Sequence, residues 1–100
     1  MNILLICTAG MSTSMLVKKM EAAALERGIT ANIWAVGDAL AKDNVGKADV
    51  ILLGPQVRYL LQKTKDLVND EKPVECIDMR DYGAMNGNNV LTTAMKLLGK

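Results

Sequence analysis

Two aliphatic runs, Ile3-Leu4-Leu5-Ile6 and Val50-Ile51-Leu52-Leu53, contain no polar residue, and each is soon followed by a glycine, Gly10 or Gly54. A strand with one wet face alternates polar and apolar residues. A strand that is apolar throughout is covered on both faces, as in a parallel sheet between two helical layers. The segments between the runs have the matching character. Met15 to Arg27 has helical spacing, with Leu16, Met20, Ala23 and Ala24 on one side, and Gly28 offers a stop. After Gly54-Pro55, the positions Val57, Leu60, Leu61, Thr64 and Val68 mark the inner face of a second helix, with proline tolerated in its first turn.

Two further strands complete the pattern. Thr30 to Val36 alternates, with Ala31, Ile33 and Ala35 opposite Thr30, Asn32, Trp34 and Val36; Trp34 is expected to pack against a helix. Pro73 to Ile77 is a short strand containing Glu75. Between them, Asp38 is expected to cap a short helix through about Lys42 that ends near Gly46, and Ala48 to Leu53 forms the third strand. Asp78 to Asn89 reads as a loop, and Val90 to Leu98 as a closing helix. The first and third strands are expected at the centre, and the mixed-polarity second and fourth at the edges. The predicted fold is thus α/β, a three-layer α/β/α domain over residues 1–100 with a four-stranded parallel sheet in the order 2-1-3-4. In such a sheet the ligand crevice opens where the strand order reverses, at the carboxyl ends of strands one and three. Cys7 and Gly54 end those two strands.

Composition narrows the chemistry. The net charge is +1 and the basic residues form no block, which argues against nucleic-acid binding through a basic patch. No apolar run is long enough to span a bilayer, and no charged leader precedes a long apolar stretch, so a cytoplasmic location is expected. With Cys7 and Cys76 the only cysteines, neither a disulfide scaffold nor a closed zinc site is expected. The chain has no histidine, which removes histidine-activated hydrolases, histidine metal motifs and a phosphohistidine carrier. No metal or cofactor is expected.

Cys7 is the candidate nucleophile, in the stretch Cys7-Thr8-Ala9-Gly10-Met11-Ser12-Thr13-Ser14. A tight loop from a strand into a helix gathers backbone N–H groups that lack helical partners, at the positive end of the helix dipole. Such a loop suits a phosphoryl group and favours thiolate over thiol. Gly10 leaves room for the anion, and Ser12, Thr13 and Ser14 add hydroxyl donors, one of which can cap the helix. Residues Thr8 to Ser14 are therefore the candidate phosphate-binding residues. The competing reading is that Cys7 is a small buried apolar residue at a strand end. Cys76, inside a strand with no such loop, is expected in the core.

The stretch from Cys7 to Ser14 resembles the cysteine-containing loop of the enzyme IIB components of the sugar phosphotransferase system, lactose/cellobiose type. Ala48 to Gln56, and Lys72-Pro73-Val74-Glu75 with Ile77-Asp78 and Tyr82-Gly83, match in the same order and spacing, so the resemblance covers nearly the whole chain. It implies that a IIA protein donates phosphate from its phosphohistidine to Cys7. It also implies that the phosphocysteine passes the group to a sugar held by the membrane component IIC, during transient docking at the inner face of the membrane. The sugars of this type are β-glucosides, cellobiose, chitooligosaccharides or lactose. The loop and fold also resemble low-molecular-weight tyrosine phosphatases, which place an arginine six residues after the cysteine. Here that position is Thr13, which removes a preorganised donor typically worth roughly a hundredfold or more in rate. A small cysteine phosphatase and a non-catalytic anion-binding module of flavodoxin-like shape are the alternatives.

Several accessory residues have two readings each. Gln56 contacts the phosphoryl group or a partner, or is solvated in a first helical turn. Arg58 steers an acidic partner or is an ordinary exposed arginine. Tyr82 bonds the loop or the phosphoryl group, or packs. Asp78 and Asp81 are expected as caps or turn residues, since carboxylates beside a phosphoryl group would repel it. Met11 either forms a docking surface for two partners or folds over the core.

Overall fold

The alternation of Ile3 and Leu5 with Leu4 and Ile6 divides the core in two. A computed structural model describes residues 1–8 and 11–99, with the backbone alone for Met11 and Ser12. Strands β1 (Asn2–Cys7), β2 (Asn32–Gly37), β3 (Val50–Leu53) and β4 (Val74–Cys76) form one parallel sheet in the order β2-β1-β3-β4. The two all-aliphatic runs are central, as expected, and all eight of their side chains are fully buried. Ile3, Leu5, Val50 and Leu52 face helices α1 (Met11–Glu26) and α5 (Gly87–Leu97). Leu4, Ile6, Ile51 and Leu53 face α2 (Ala41–Asn44) and the segment leading into α3 (Leu61–Leu67). Each such side chain contributes about 1.5–3 kcal/mol by leaving water, so these central strands hold the molecule together.

The ends of α1 show how local chemistry and tertiary packing share the work. Gly28 has φ +67°, Ile29 N–H donates to the Ala24 carbonyl at 2.8 Å, and Gly28 N–H to that of Leu25 at 3.2 Å. This paired closure needs a left-handed residue, and glycine adopts it without a Cβ penalty. At the other end α1 begins at Met11 rather than at Met15, so the hydroxyl-rich stretch Ser12 to Ser14 is its first turn and not a loop.

The segment 78–89 also departs from its expected loop. Asp78 accepts from Arg80 N–H at 2.8 Å and Asp81 N–H at 3.4 Å and so caps a short helix, α4 (Met79–Gly83). Asn86 accepts from Asn89 N–H at 3.0 Å and starts α5 at Gly87, earlier than Val90. Both are ordinary side-chain caps. Asp38, by contrast, caps nothing: Gly37 holds the N-cap position of a 3-10 turn, Asp38–Leu40, with no side-chain bond. The helix expected after Pro55 starts as 3-10 turns, Pro55–Leu60, broken at Val57 before α3 begins. Its inner face is as expected: Val57, Thr64 and Val68 are buried, with Leu60 and Leu61 packed beside them. Trp34 packs against the same cluster and donates from Nε1 to Asn44 Oδ1 of α2 at 3.1 Å.

Candidate functional site

Gly54 N–H donates to the Ile6 carbonyl at 2.8 Å, which carries the pairing with β1 one residue past the end of β3 and brings Gly54 beside Cys7. A Cβ on Gly54 would stand 3.6 Å from Cys7 Cβ and 3.1 Å from Gln56 Oε1. The Gln56 amide therefore folds back over Gly54, although the residue is exposed as a whole. Cys7, Gly54 and Gln56 meet at the carboxyl ends of the central strands, where the strand order reverses.

Cys7 is only 4% exposed, and its Sγ–H points at the Val36 carbonyl at 3.7 Å, a weak contact. The same neighbouring strand, β2, pairs Gly37 with Cys7 in the register. Of the candidate phosphate-binding residues, Thr8 and Ser14 are exposed. Ala9 and Gly10, and the side chains of Met11 and Ser12, lie outside the described residues. Thr13 is 2% exposed, and its Oγ1 lies 3.0 Å from Tyr82 Oη. Tyr82 thus meets the first turn of α1 through its hydroxyl. The Thr13 hydroxyl is already engaged with a protein partner.

Asp78 is a helix cap, as anticipated from sequence, whereas Asp81 is neither cap nor turn residue: it lies within α4 and accepts from Asn89 Nδ2 at 3.1 Å. Arg58 is exposed. Cys76 is half-buried at the margin of the second core cluster, not enclosed, because β4 is an edge strand of three residues. Its thiol is pushed up from the ordinary range, first by burial and then by the Glu75 carboxylate, with Arg58 and Lys65 opposing. Among the described residues, no group of three or more Cys, Asp or Glu side chains could hold a metal ion.

A set of exposed apolar side chains on the segments that follow the strands was not marked in the sequence. Met15 follows β1, Leu40 follows β2, Tyr59 follows β3 and Met79 follows β4, each exposed on its connecting segment. Period counting cannot find them, because each sits within a helical stretch whose inner face had to be identified first. Beside Leu40, a groove of about 240 Å³ runs between α2 and α3, lined by Asp38, Ala41, Lys42, Leu60, Lys63 and Leu67.

The model of the family "PTS system, Lactose/Cellobiose specific IIB subunit" matches residues 2–93. The chain belongs to this IIB family. This IIB chain is 46% identical over 100 residues to the oligo-beta-mannoside-specific EIIB component of Bacillus subtilis, covering 97% of this chain and 95% of that protein. It is 41% identical over 104 residues to the galactose-specific EIIB component of Lactococcus lactis, covering 96% and 94%. Its structure is similar to the solution structure of the cellobiose-specific phosphotransferase IIB component of Borrelia burgdorferi. The TM-score is 0.82, with 41% identity over 99% of this chain and 92% of that one. No described helix of this IIB chain is long and apolar enough to cross a membrane.

Proposed function

We propose that this IIB chain carries a phosphoryl group on Cys7 between a IIA protein and a sugar held by the membrane component IIC. The observation that carries the reading is the position of Cys7: at the carboxyl end of β1, beside Gly54, four residues before α1 starts. In the first step the Cys7 thiolate attacks phosphorus on the phosphohistidine of IIA. The S–P bond forms, the N–P bond breaks, and the imidazole leaves and takes up a proton. In the second step a sugar hydroxyl oxygen attacks the same phosphorus. The S–P bond breaks, Cys7 is released as thiolate, and the hydroxyl proton passes to a base or to water. Residues Thr8 to Ser14 receive the phosphoryl oxygens, mainly through backbone N–H groups at the start of α1.

The absence of an arginine at position 13 favours a carrier over a hydrolase, since no guanidinium clamps the transition state. The exposed apolar side chains on all four connections suit a surface that two protein partners use in turn. The sugar belongs to the β-glucoside, cellobiose, chitooligosaccharide or lactose class, and IIC selects among them. The chain works in the cytoplasm and docks transiently at the inner face of the membrane.

Incubation with a phosphorylated IIA protein of this family, followed by intact-mass measurement, tests the reading. One added phosphoryl group is expected, absent in Cys7→Ser and retained in Cys76→Ser. Rapid turnover of an aryl phosphate without a stable adduct would support a phosphatase instead. Neither adduct nor turnover would remove both.

A further inference from the structure

The bond between Thr13 and Tyr82 joins residues 69 positions apart, and both ends of it are constrained. A hydroxyl as buried as that of Thr13 costs about 1–3 kcal/mol if left without a partner, and Tyr82 supplies one. Tyr82 in turn stands on a braced element. Asp78 caps the start of α4, Asp81 ties it to Asn89 of α5, and the Tyr82 ring packs against the first core cluster. The segment leaving the outer strand β4 is thereby fixed against α5, and from there it reaches the first turn of α1. Apolar packing alone lets a helix end slide or rotate by a few tenths of an ångström. A hydroxyl–hydroxyl bond is directional and holds one rotation.

We infer that Tyr82 is a positioning residue for the reaction at Cys7: through Thr13 it sets the placement of the first turn of α1 relative to Cys7, and so the aim of the backbone N–H groups that receive the phosphoryl group. The inference rests on the phosphocysteine reading above. Tyr82 acts through Thr13 and does not touch the reacting atoms. The Thr13 side chain serves as the link, which explains a buried threonine in a turn where exposed hydroxyls would otherwise be available to an anion. A misplacement of a fraction of an ångström at such a turn slows transfer without changing how the partner docks.

The test uses the intact chain and a phosphorylated IIA protein, with Tyr82→Phe, Thr13→Val, Thr13→Ser and the double variant Thr13→Val/Tyr82→Phe. Each is measured for the maximal rate of phosphoryl uptake, the half-saturating concentration of IIA, and Tm. Tyr82→Phe and Thr13→Val are expected to lower the maximal rate roughly three- to tenfold, the range one hydrogen bond commands, at unchanged half-saturation. Thr13→Ser, which keeps the hydroxyl, is expected to regain most of the rate that Thr13→Val loses. The double variant should be no slower than the slower single one, because both remove the same bond. A parent rate in Tyr82→Phe, or losses that multiply in the double variant, would overturn the inference. So would an effect confined to half-saturation. Should Tyr82→Phe fail to fold, Thr13→Val against Thr13→Ser decides alone. If the parent chain takes no phosphate at Cys7, the carrier reading itself fails. If the parent takes it and the variants match it, only the role of Tyr82 fails.

Discussion

Cys7 Cβ lies 3.6 Å from the point where a side chain on Gly54 would begin. Gly54 has φ −62° and ψ 150°, a conformation open to any residue, so glycine is there for space and not for backbone freedom. The same point is 3.1 Å from Gln56 Oε1, the far end of a flexible exposed side chain. Gly54→Ala is therefore expected to fold, with Tm within a few degrees of the parent, while the added methyl displaces the Gln56 amide. If Gln56 assists at Cys7, Gly54→Ala and Gln56→Ala will slow phosphoryl uptake by similar factors, and their combination will add little. A fully active Gly54→Ala would exclude any role for Gln56 in its present position.

Gly87 predicts the opposite behaviour. A Cβ there would collide with the backbone of α1 at Lys19 and Met20, which cannot step aside as a side chain can. Gly87→Ala should therefore cost about 2–3 kcal/mol by forcing α1 and α5 apart. Thermal unfolding should show a Tm lower by roughly 10–20 °C for a domain of this size. Gly83→Ala, where nothing stands within 4 Å, is the matching control and should leave Tm nearly unchanged.

Tyr59 is 71% exposed and, like Met15, Leu40 and Met79, lies on the segment that follows a strand of the sheet. Tyr59→Ser and Leu40→Ser should raise the half-saturating concentration of IIA about tenfold, in line with loss of an aromatic or aliphatic anchor at an interface, and leave Tm almost unaltered. Leu25→Ser, on a still more exposed leucine near the far end of α1, should change neither. Equal effects at Leu25 and Tyr59 would mean that the exposed apolar side chains after the strands have no special part in docking.

Cys76 makes stability depend on alkaline pH. Its folded thiol is held above the ordinary range, chiefly by burial, so below that range both folded and unfolded chains keep it protonated and its contribution is complete. As the pH rises, the unfolded chain loses this proton first, and stability falls until the folded thiol ionises as well. Urea unfolding at pH 7 and pH 9.5 should show a larger loss for the parent chain than for Cys76→Ser. Alkylation of Cys76 by iodoacetamide should likewise be slow near neutrality and quicken only at higher pH.

The two aliphatic runs, the alternation in β2 and the polar residue in β4 were enough to determine the sheet order, because burial on one face or both leaves a direct mark on residue type. The same order placed Cys7 and Gly54 together at the switch point, so the centre of the candidate site was legible before any coordinates. The start of α1 was not, since serine and threonine suit a loop and a first helical turn equally well. In the fold, Thr13 is buried and bonded to a tyrosine 69 residues away, a contact that no local pattern contains. Helix α4 was missed for a similar reason: a five-residue helix has no period to read, and only its Asp78 cap marks it. The exposure of Met15, Leu40, Tyr59 and Met79 was likewise decided by which helical faces the sheet had already covered. What the residues alone determined were the layers and the place of Cys7 at the switch point, because both follow from burial and strand order. Only the tertiary structure decided what braces that place, because hydrogen bonds between distant segments depend on chain paths that composition and spacing do not record.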